Sequence, residues 1–253
     1  SLAYPHATVK YACSQVPAGE AATIFVKNGT YYEQLPITVP ANVAIIGDNQ
    51  RTVNILPAAG LSDDGVTSNA ESNMWLMSDG SILNKMTFKG MTGWVAGATP
   101  DDITTSTPKG VVACFNSASP IISKSPYILE CSAIVPGGIG ALVDGSVHAT
   151  GNKSMIFHGY TVISDNGVGY WVKDAGKAEI VSCFTYFCYF GYAASGGGFI
   201  RALNGNNSYG TWGSVSRGYD TEETALAASV SGQQLNFTYG GGAINAGDIV
   251  TDT

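Results

Sequence analysis

Chemistry in this chain would have to come from its carboxylates, so their spacing is read first. Asp144 and Asp174 each follow a segment of the same shape, Gly138-Ile139-Gly140-Ala141-Leu142-Val143 and Gly167-Val168-Gly169-Tyr170-Trp171-Val172. Equivalent places after echoed segments would set both carboxylates on one face. Asp165 and Glu179 fall on neighbouring stretches, with Arg201 as a cation further along. Two carboxyl groups roughly 5–10 Å apart in a groove can serve as general acid and base. The competing reading puts each in a turn, where Asp bonds its own backbone, and Asp144-Gly145 is a common turn pair. A second acidic group, Asp63, Asp64, Glu71 and Asp79 with Asp101 and Asp102 beyond, shows no fixed Ca²⁺-ligand spacing and reads as solvated loops.

Other catalytic signatures are missing. The histidines His6, His148 and His158 have no Ser or Cys partner in a recognisable elbow, and there is no H-E-x-x-H. Gly196-Gly197-Gly198 precedes a strand-like run instead of opening a helix, so it reads as a tight turn and not as a phosphate cradle. Cys13, Cys114, Cys131, Cys183 and Cys188 are odd in number and lack C-x-x-C spacing, and they are expected to be buried free thiols. No metal or cofactor is expected. N-x-S/T sequons stand at Asn28, Asn152, Asn206 and Asn236, and would matter only in a secreted eukaryotic protein.

Aromatic rings gather late in the chain, between Trp171 and Tyr219. In 184–192 they fall on both parities, so a strand there sends some rings inward and others outward. Outward rings are candidates for stacking on sugars or for a subunit interface. Tyr186, Tyr189, Tyr192 and Trp212 are the residues named for that role.

These residues must be held by strands. Helical periodicity is almost absent, whereas apolar runs of four to six residues recur between Gly, Asn, Asp, Ser and Pro. Runs of this kind include 23–27, 43–46, 53–56, 82–88, 111–115, 127–130, 141–144, 154–158, 161–164, 169–173, 179–183 and 199–202. One short helix is expected near Thr221–Ala228, with Asp220 or Thr221 as cap. Three echoes point to stacked rungs: the Gly-x-Gly pair above, Asn84–Gly90 against Asn152–Gly159, and Ser119–Ile122 against Ser125–Ile128. A β-sandwich would also give short strands, but it predicts no echoes.

Composition narrows the class further. The chain has 253 residues, 12 Lys+Arg, 19 Asp+Glu, a formal net charge of −7 and 32 glycines. Only 12% of residues are charged while 45% are hydrophobic, which excludes a disordered chain. The only arginines are Arg51, Arg201 and Arg217, too few for a nucleic-acid stripe. No apolar run approaches the ~20 residues that span a bilayer, and no signal peptide is visible, so no membrane insertion is expected.

Two resemblances follow from longer stretches. Thr23–Glu33 (TIFVKNGTYYE), Leu35–Pro40 (LPITVP), Val43–Gly47 (VAIIG) and Thr52–Leu56 (TVNIL) resemble the opening coils of the pectin-lyase-like superfamily. The resemblance implies an all-β fold, a single-stranded right-handed parallel β-helix. That superfamily includes lyases that use Ca²⁺ and hydrolases that use paired acids. The paired-Asp, Gln-rich motifs of pectin methylesterases are missing here, which argues against esterase activity. Ser119–Ser132 (SPIISKSPYILECS), Val143–Ser146 (VDGS), Glu179–Tyr186 (EIVSCFTY), Ile200–Gly210 (IRALNGNNSYG) and Gly213–Ser216 (GSVS) resemble the β-helical segment of virion structural or tail-fibre-like proteins of T4-like cyanophages.

The expected organisation is a β-helix over 1–230 with N-terminal capping coils, then a C-terminal tail or the start of a small β domain over 231–253. Because Ser1 opens without an initiator Met and Ile244–Thr253 reads as the first strand of something longer, a piece of a larger chain is expected. The first functional expectation is a phage virion structural protein, tail-associated or fibre-like, without catalysis. Its partners would be other virion proteins, further copies in a homotrimer, and a host surface glycan. The second is a polysaccharide depolymerase working through Asp144, Asp165 and Asp174. The third is a module that binds glycan without cleaving it.

Overall fold

A computed structural model describes residues 5–59, 68–94, 103, 106–218, 227–231 and 234–238. Its main unit, Ser1–Gly218, winds three parallel sheets into a β-helix. The first face stacks seven strands, Ala22–Val26, Val43–Gly47, Ile82–Asn84, Tyr127–Leu129, Ser154–His158, Lys177–Val181 and Phe199–Leu203. The second stacks Gly29–Glu33, Val53–Pro57, Thr87–Lys89, Ser132–Ile134, Thr161–Ile163, Phe184–Tyr186 and Asn206–Ser208. The third begins with Ile37–Val39, Trp75–Met77 and Ala113–Phe115. A single bridge, Val111 to Ile139, links it to Ile139–Asp144, Val168–Lys173, Phe190–Ser195 and Trp212–Arg217. One strand from each face makes a coil, and crossovers between parallel strands give the winding its right hand.

The strands alternate because each face has an inside and an outside. Val43, Ile45, Leu83, Ile128, Met155, Phe157 and Ile180 point inward from the first face and are fully or almost fully buried. Large rings fill the middle coils: Phe157 meets Tyr160 at 6.1 Å and Tyr170 at 5.1 Å, and Tyr170 meets Tyr192 at 5.6 Å. Their hydroxyls find backbone acceptors, Tyr160 donating to the Gly140 carbonyl at 2.9 Å and Tyr170 to the Tyr160 carbonyl at 2.6 Å. A buried ring hydroxyl left unpaired would cost ~1–3 kcal/mol, so these contacts permit tyrosine in the core.

The corners repeat as regularly as the strands. Between the first and second faces, Lys85, Glu130, Gly159, Ser182 and Asn204 hold φ between 48° and 61°. Each of the first four donates its N–H one coil onward, as Glu130 does to the His158 carbonyl at 2.9 Å and Ser182 to the Leu203 carbonyl at 2.8 Å. At the start of the third face, Gly140, Gly169 and Gly191, each the second residue of its strand, occupy equivalent places in consecutive coils. A Cβ on Gly169 would lie 2.4 Å from the Gly191 carbonyl oxygen and 2.5 Å from the Thr185 methyl. Only hydrogen fits there.

The N-terminal end is closed by a helix, Val9–Ser14, which the sequence reading missed. Thr8 caps it, and the Glu33 carboxylate accepts from the Val9 N–H at 2.6 Å and the Lys10 N–H at 3.1 Å. Six residues with Val9, Ala12 and Cys13 buried offer too little periodicity to stand out. The third face carries a second apolar layer on its outside, where Ile139, Val168, Trp171 and Phe190 pack under Trp94 and Ile103.

Of the echoes, the Gly-x-Gly pair is a true stacking match, with Ile139 on Val168 and Val143 on Val172. The Asn84/Asn152 pair is not. Asn84 lies in register with Leu129, which in turn aligns with His158. Ser119–Ile122 and Ser125–Ile128 belong to one coil, the former preceding the strand Tyr127–Leu129. The run 82–88 divides into two strands around the Lys85 corner.

A second unit covers Tyr219–Thr253. Its described part is an antiparallel hairpin, Ala227–Ser231 with Gln234–Thr238. Most of the expected helix at Thr221–Ala228 lies outside the described residues, while Ala227 and Ala228 are in a strand.

Candidate functional site

The end of the third face brings two of the three singled-out aspartates together. Strand register sets Asp144 beside Lys173, and Asp174 follows at a corner with φ 53°. The Lys173 ammonium lies 3.6 Å from the Asp144 carboxylate and 2.9 Å from that of Asp174. Burial pulls the Lys173 pKa down, but its hydrogen bond to Asp174 and the charges of both carboxylates outweigh this and raise it. Asp144 also accepts from the Ser146 N–H at 2.8 Å and hydroxyl at 2.6 Å, capping a 3₁₀ turn. The pair is therefore a cation clamp at a turn. Both carboxylates are held on one ammonium, so neither is left free to face a bound substrate.

Asp165 is elsewhere, exposed in the corner between the second and third faces, where its carbonyl accepts from the Gly137 N–H. It does not join Asp144 and Asp174. Glu179 forms a 2.8 Å ion pair with Arg201 on the outer first face. Asp79 accepts from the backbone N–H groups of Ile122, Ser123 and Lys124 at 2.9–3.0 Å, pinning a loop. Glu71 pairs with Lys109 at 3.9 Å. Asp63, Asp64, Asp101 and Asp102 lie outside the described residues.

All five cysteines are free and buried. Burial pushes Cys13, Cys114, Cys131 and Cys188 up to about 12, which removes the thiolate needed for nucleophilic or metal chemistry. His148 is buried beside Phe115, and burial followed by the Lys153 charge lowers its pKa. His158 shares a 3.2 Å hydrogen bond with the Tyr127 hydroxyl. No group of three or more metal-ligating side chains occurs among the described residues.

The aromatic residues make a different kind of site. At the corner between the second and third faces of the last two coils, Phe187 and Tyr209 both have left-handed backbone, with φ 61° and 58°. Bulky residues rarely adopt that conformation, which costs ~1–2 kcal/mol each. Here it turns both rings outward and stacks them 5.7 Å apart at an interplanar angle of 22°. They are 50% and 82% exposed. The Phe187 N–H donates to the Ser208 carbonyl at 3.0 Å, so the sheet ladder sets their spacing. A cleft of about 70 Å³ beside them is lined by Thr185, Cys188, Asn207, Tyr209 and Trp212. Within it the Thr185 hydroxyl donates to the Asn207 side-chain oxygen at 2.5 Å, and the Asn207 amide donates to the Gly213 carbonyl at 2.6 Å.

The four rings named from the sequence divide. Trp212 is 41% exposed and lines the cleft, and Tyr186 tilts against Phe187 at 6.4 Å. Tyr192 is buried in the core with its hydroxyl 3.4 Å from the Cys183 carbonyl, so it is no surface ring. Tyr189 packs edge-on to Phe190 at 4.7 Å and against Trp94 at 6.2 Å. Phe187 and Tyr209 were missed. Their signal was position: each follows a three-residue second-face strand, where a corner falls.

No protein-family model and no curated protein matches the chain. Solved structures similar to it include pectin methylesterase PemA from Erwinia chrysanthemi, 15% identical with a TM-score of 0.41. Another is a pectin methylesterase in complex with a hexasaccharide, 14% identical with a TM-score of 0.38. Each alignment covers 86% of this chain and 64% of the esterase, so the chain spans less than two thirds of their length. ORF18 of Geobacillus virus E2 is 11% identical with a TM-score of 0.31, covering 91% of this chain and 60% of that one.

Proposed function

We propose that this chain is the β-helical segment of a phage virion structural protein, tail-associated or fibre-like, that contacts a host surface glycan without cleaving it. The Phe187–Tyr209 ridge carries the reading. Two adjacent coils place large rings in an uncommon backbone conformation, and the result is a stacked, exposed aromatic surface beside a polar cleft. Strain of this kind concentrates where a site requires it. A flat ring face suits the C–H face of a sugar, while Asn207, Ser208 and the Tyr209 hydroxyl offer partners for sugar hydroxyls. The virion assignment is supported by the sequence resemblance in 119–216, and the depolymerase alternative is disfavoured by the Lys173 clamp on Asp144 and Asp174.

The test is binding of the purified chain to an array of bacterial surface polysaccharides, with reducing-end release measured on every polysaccharide bound. The expected result is binding without release, weakened several-fold in Tyr209→Ala and Trp212→Ala, each ring being worth ~0.5–1.5 kcal/mol. Both variants should keep the circular dichroism of the parent. Release of oligosaccharide that disappears in Asp144→Asn would establish the depolymerase instead. Binding indifferent to both ring variants would remove the ridge from the function.

A further inference from the structure

In the last four coils the outsides of the faces differ in charge. On the second face the strands Ser132–Ile134, Thr161–Ile163, Phe184–Tyr186 and Asn206–Ser208 stack in register. Their first residues make one outward column, Ser132, Thr161, Phe184 and Asn206. Their last residues make a second, Ile134, Ile163, Tyr186 and Ser208. Between the columns Ala133, Val162 and Thr185 point inward and are buried, while Ile134 and Phe184 are 38% and 36% exposed. None of the eight outward residues is Lys, Arg, His, Asp or Glu. Over the same coils the first face carries His158, Lys177, Glu179 and Arg201 on its outside, and the third face ends on Asp144, Lys173 and Arg217.

This uncharged strip has definite borders. At its lower end Lys89 stands in register with Ile134, and the Gln50 side chain donates to the Ser132 hydroxyl at 2.7 Å. Along one side runs the corner with the first face, where Lys85 and the exposed Glu130 pair at 3.9 Å and the Asn204 amide donates to the Ser182 hydroxyl at 3.1 Å. Along the other runs the corner with the third face. There the exposed Asp165 and Asn166 precede the ridge by one coil, and the Asn166 N–H donates to the Phe187 carbonyl at 3.3 Å. Tyr186 touches Phe187 across that border, so strip and ridge form one continuous surface.

We propose that an extended, non-acidic glycan lies along this strip, parallel to the solenoid axis, with about one sugar ring to each of the four coils. The proposal rests on the reading of the ridge as a sugar contact, and adds the course, length and charge class of what is bound. A sugar ring with its linkage is about as long as the ~4.8 Å step from coil to coil, so a chain on the axis meets equivalent positions again and again. The C–H faces of the rings suit Ile134, Ile163, Phe184 and Tyr186, and their hydroxyls suit Thr161 and Asn206 in the neighbouring column.

Size favours a polymer one residue wide. Three residues at ~3.3 Å and four strands at ~4.8 Å make a strip of roughly 10 by 19 Å, on the order of 190 Å². A stable protein partner covers ~800 Å², about four times as much. Charge excludes the acidic glycans. A uronic acid laid over Ile134 and Ile163 would give up its water with Glu130 and Asp165 on either side. Lys85 is drawn onto Glu130, and Lys89 stands at one end, so no cation faces the middle of the strip.

The test starts from a polysaccharide array divided into uncharged members, such as dextran, mannan, galactan and neutral O-antigens, and acidic ones, such as polygalacturonate, alginate, hyaluronate and acidic capsules. The tightest binding should fall among the uncharged members. Calorimetry with fragments of one to six rings cut from the tightest-bound member should then show affinity rising several-fold from two rings to four and levelling beyond. Ile134→Asp, at the end far from the ridge, should weaken four-ring fragments several-fold more than two-ring fragments, whereas Tyr209→Ala should weaken both alike. Thr161→Asp replaces it if Ile134→Asp loses the circular dichroism of the parent. Tightest binding to an acidic member overturns the charge class. Affinity level beyond two rings, or a folded variant that binds four rings as the parent does, overturns the strip and leaves the ridge standing. No binding to any member removes the glycan reading itself, and this proposal with it.

Discussion

Asp79 shows what a single carboxylate does in this molecule. Burial would raise its pKa, but three backbone N–H groups and the Ser123 hydroxyl at 2.7 Å favour the ionised form and bring it below the usual 3.8. A depressed pKa contributes stability that is fully present above the unfolded value and is lost as pH falls through the folded one. Asp79→Asn should therefore lose on the order of 1 kcal/mol at pH 7 after allowance for solvent screening, measured by urea unfolding, and the gap to the parent should close as the pH falls through the lowered value. A gap that persists unchanged at low pH would mean the charge is not what holds the loop. In the sequence Asp79 was only one acid in a loop. Its partners lie more than forty positions away, and no local pattern announces such a contact. Asp144 and Asp174 were legible as neighbours because a repeated segment precedes each. That Lys173 stands between them required the register. Tyr192 was misjudged because parity along a strand distinguishes two sides without saying which is the interior.

At the scale of the element, the Gly140–Gly169–Gly191 row decides how tightly the second face turns into the third. Gly169→Ala must push its methyl against the Gly191 carbonyl oxygen and the Thr185 methyl, contacts at 2.4 and 2.5 Å that cannot both relax. Overpacking of this kind costs ~1–3 kcal/mol, and thermal denaturation should register it. Gly213→Ala, whose added carbon would meet nothing closer than 3.9 Å, should lose less. Equal losses would place the effect in glycine's backbone freedom and not in the close approach. This row also explains why the Gly-x-Gly echo was a sound guide to stacking. It is demanded by backbone contact between coils, whereas the Asn-Lys echo combined residues that any corner accepts. Short strands such as Ile37–Val39 and Asn206–Ser208 stand out only through the family resemblance and not as apolar runs, because three residues are too few to display alternation.

For the whole molecule, the interior changes character along its length. Ile180, Thr185 and Tyr192 in one coil are followed, in register, by Ala202, Asn207 and Ser214 in the next. The middle coils bury aromatic rings, while Ala202 and Ser214 are exposed and Asn207 is half-buried. Amide hydrogen exchange should be slowest in the strands around Phe157, Val162 and Tyr170 and fastest at Phe199–Leu203 and Trp212–Arg217. Uniform protection from Val43 to Arg217 would contradict a graded interior. At the opposite end the Glu33 carboxylate anchors the Val9–Ser14 helix. Burial raises its pKa against the pull of the Val9 and Lys10 N–H groups, which favour the ionised form, so the net contribution of Glu33 to stability falls as pH rises through the raised value.

The ladder that joins one coil to the next has a mechanical consequence. Its hydrogen bonds run along the solenoid axis, and the strands of each coil pair only with those of its two neighbours. A load applied at the two ends would not meet all seven coils at once. It would strip the terminal coil first; the last two coils, which repeat every 22 or 23 residues along the first face, would each pay out on the order of 75 Å of chain at ~3.4 Å per residue. The loosely filled last coil would yield before the aromatic middle, so the molecule would lengthen in steps under tension and keep its centre wound until the end.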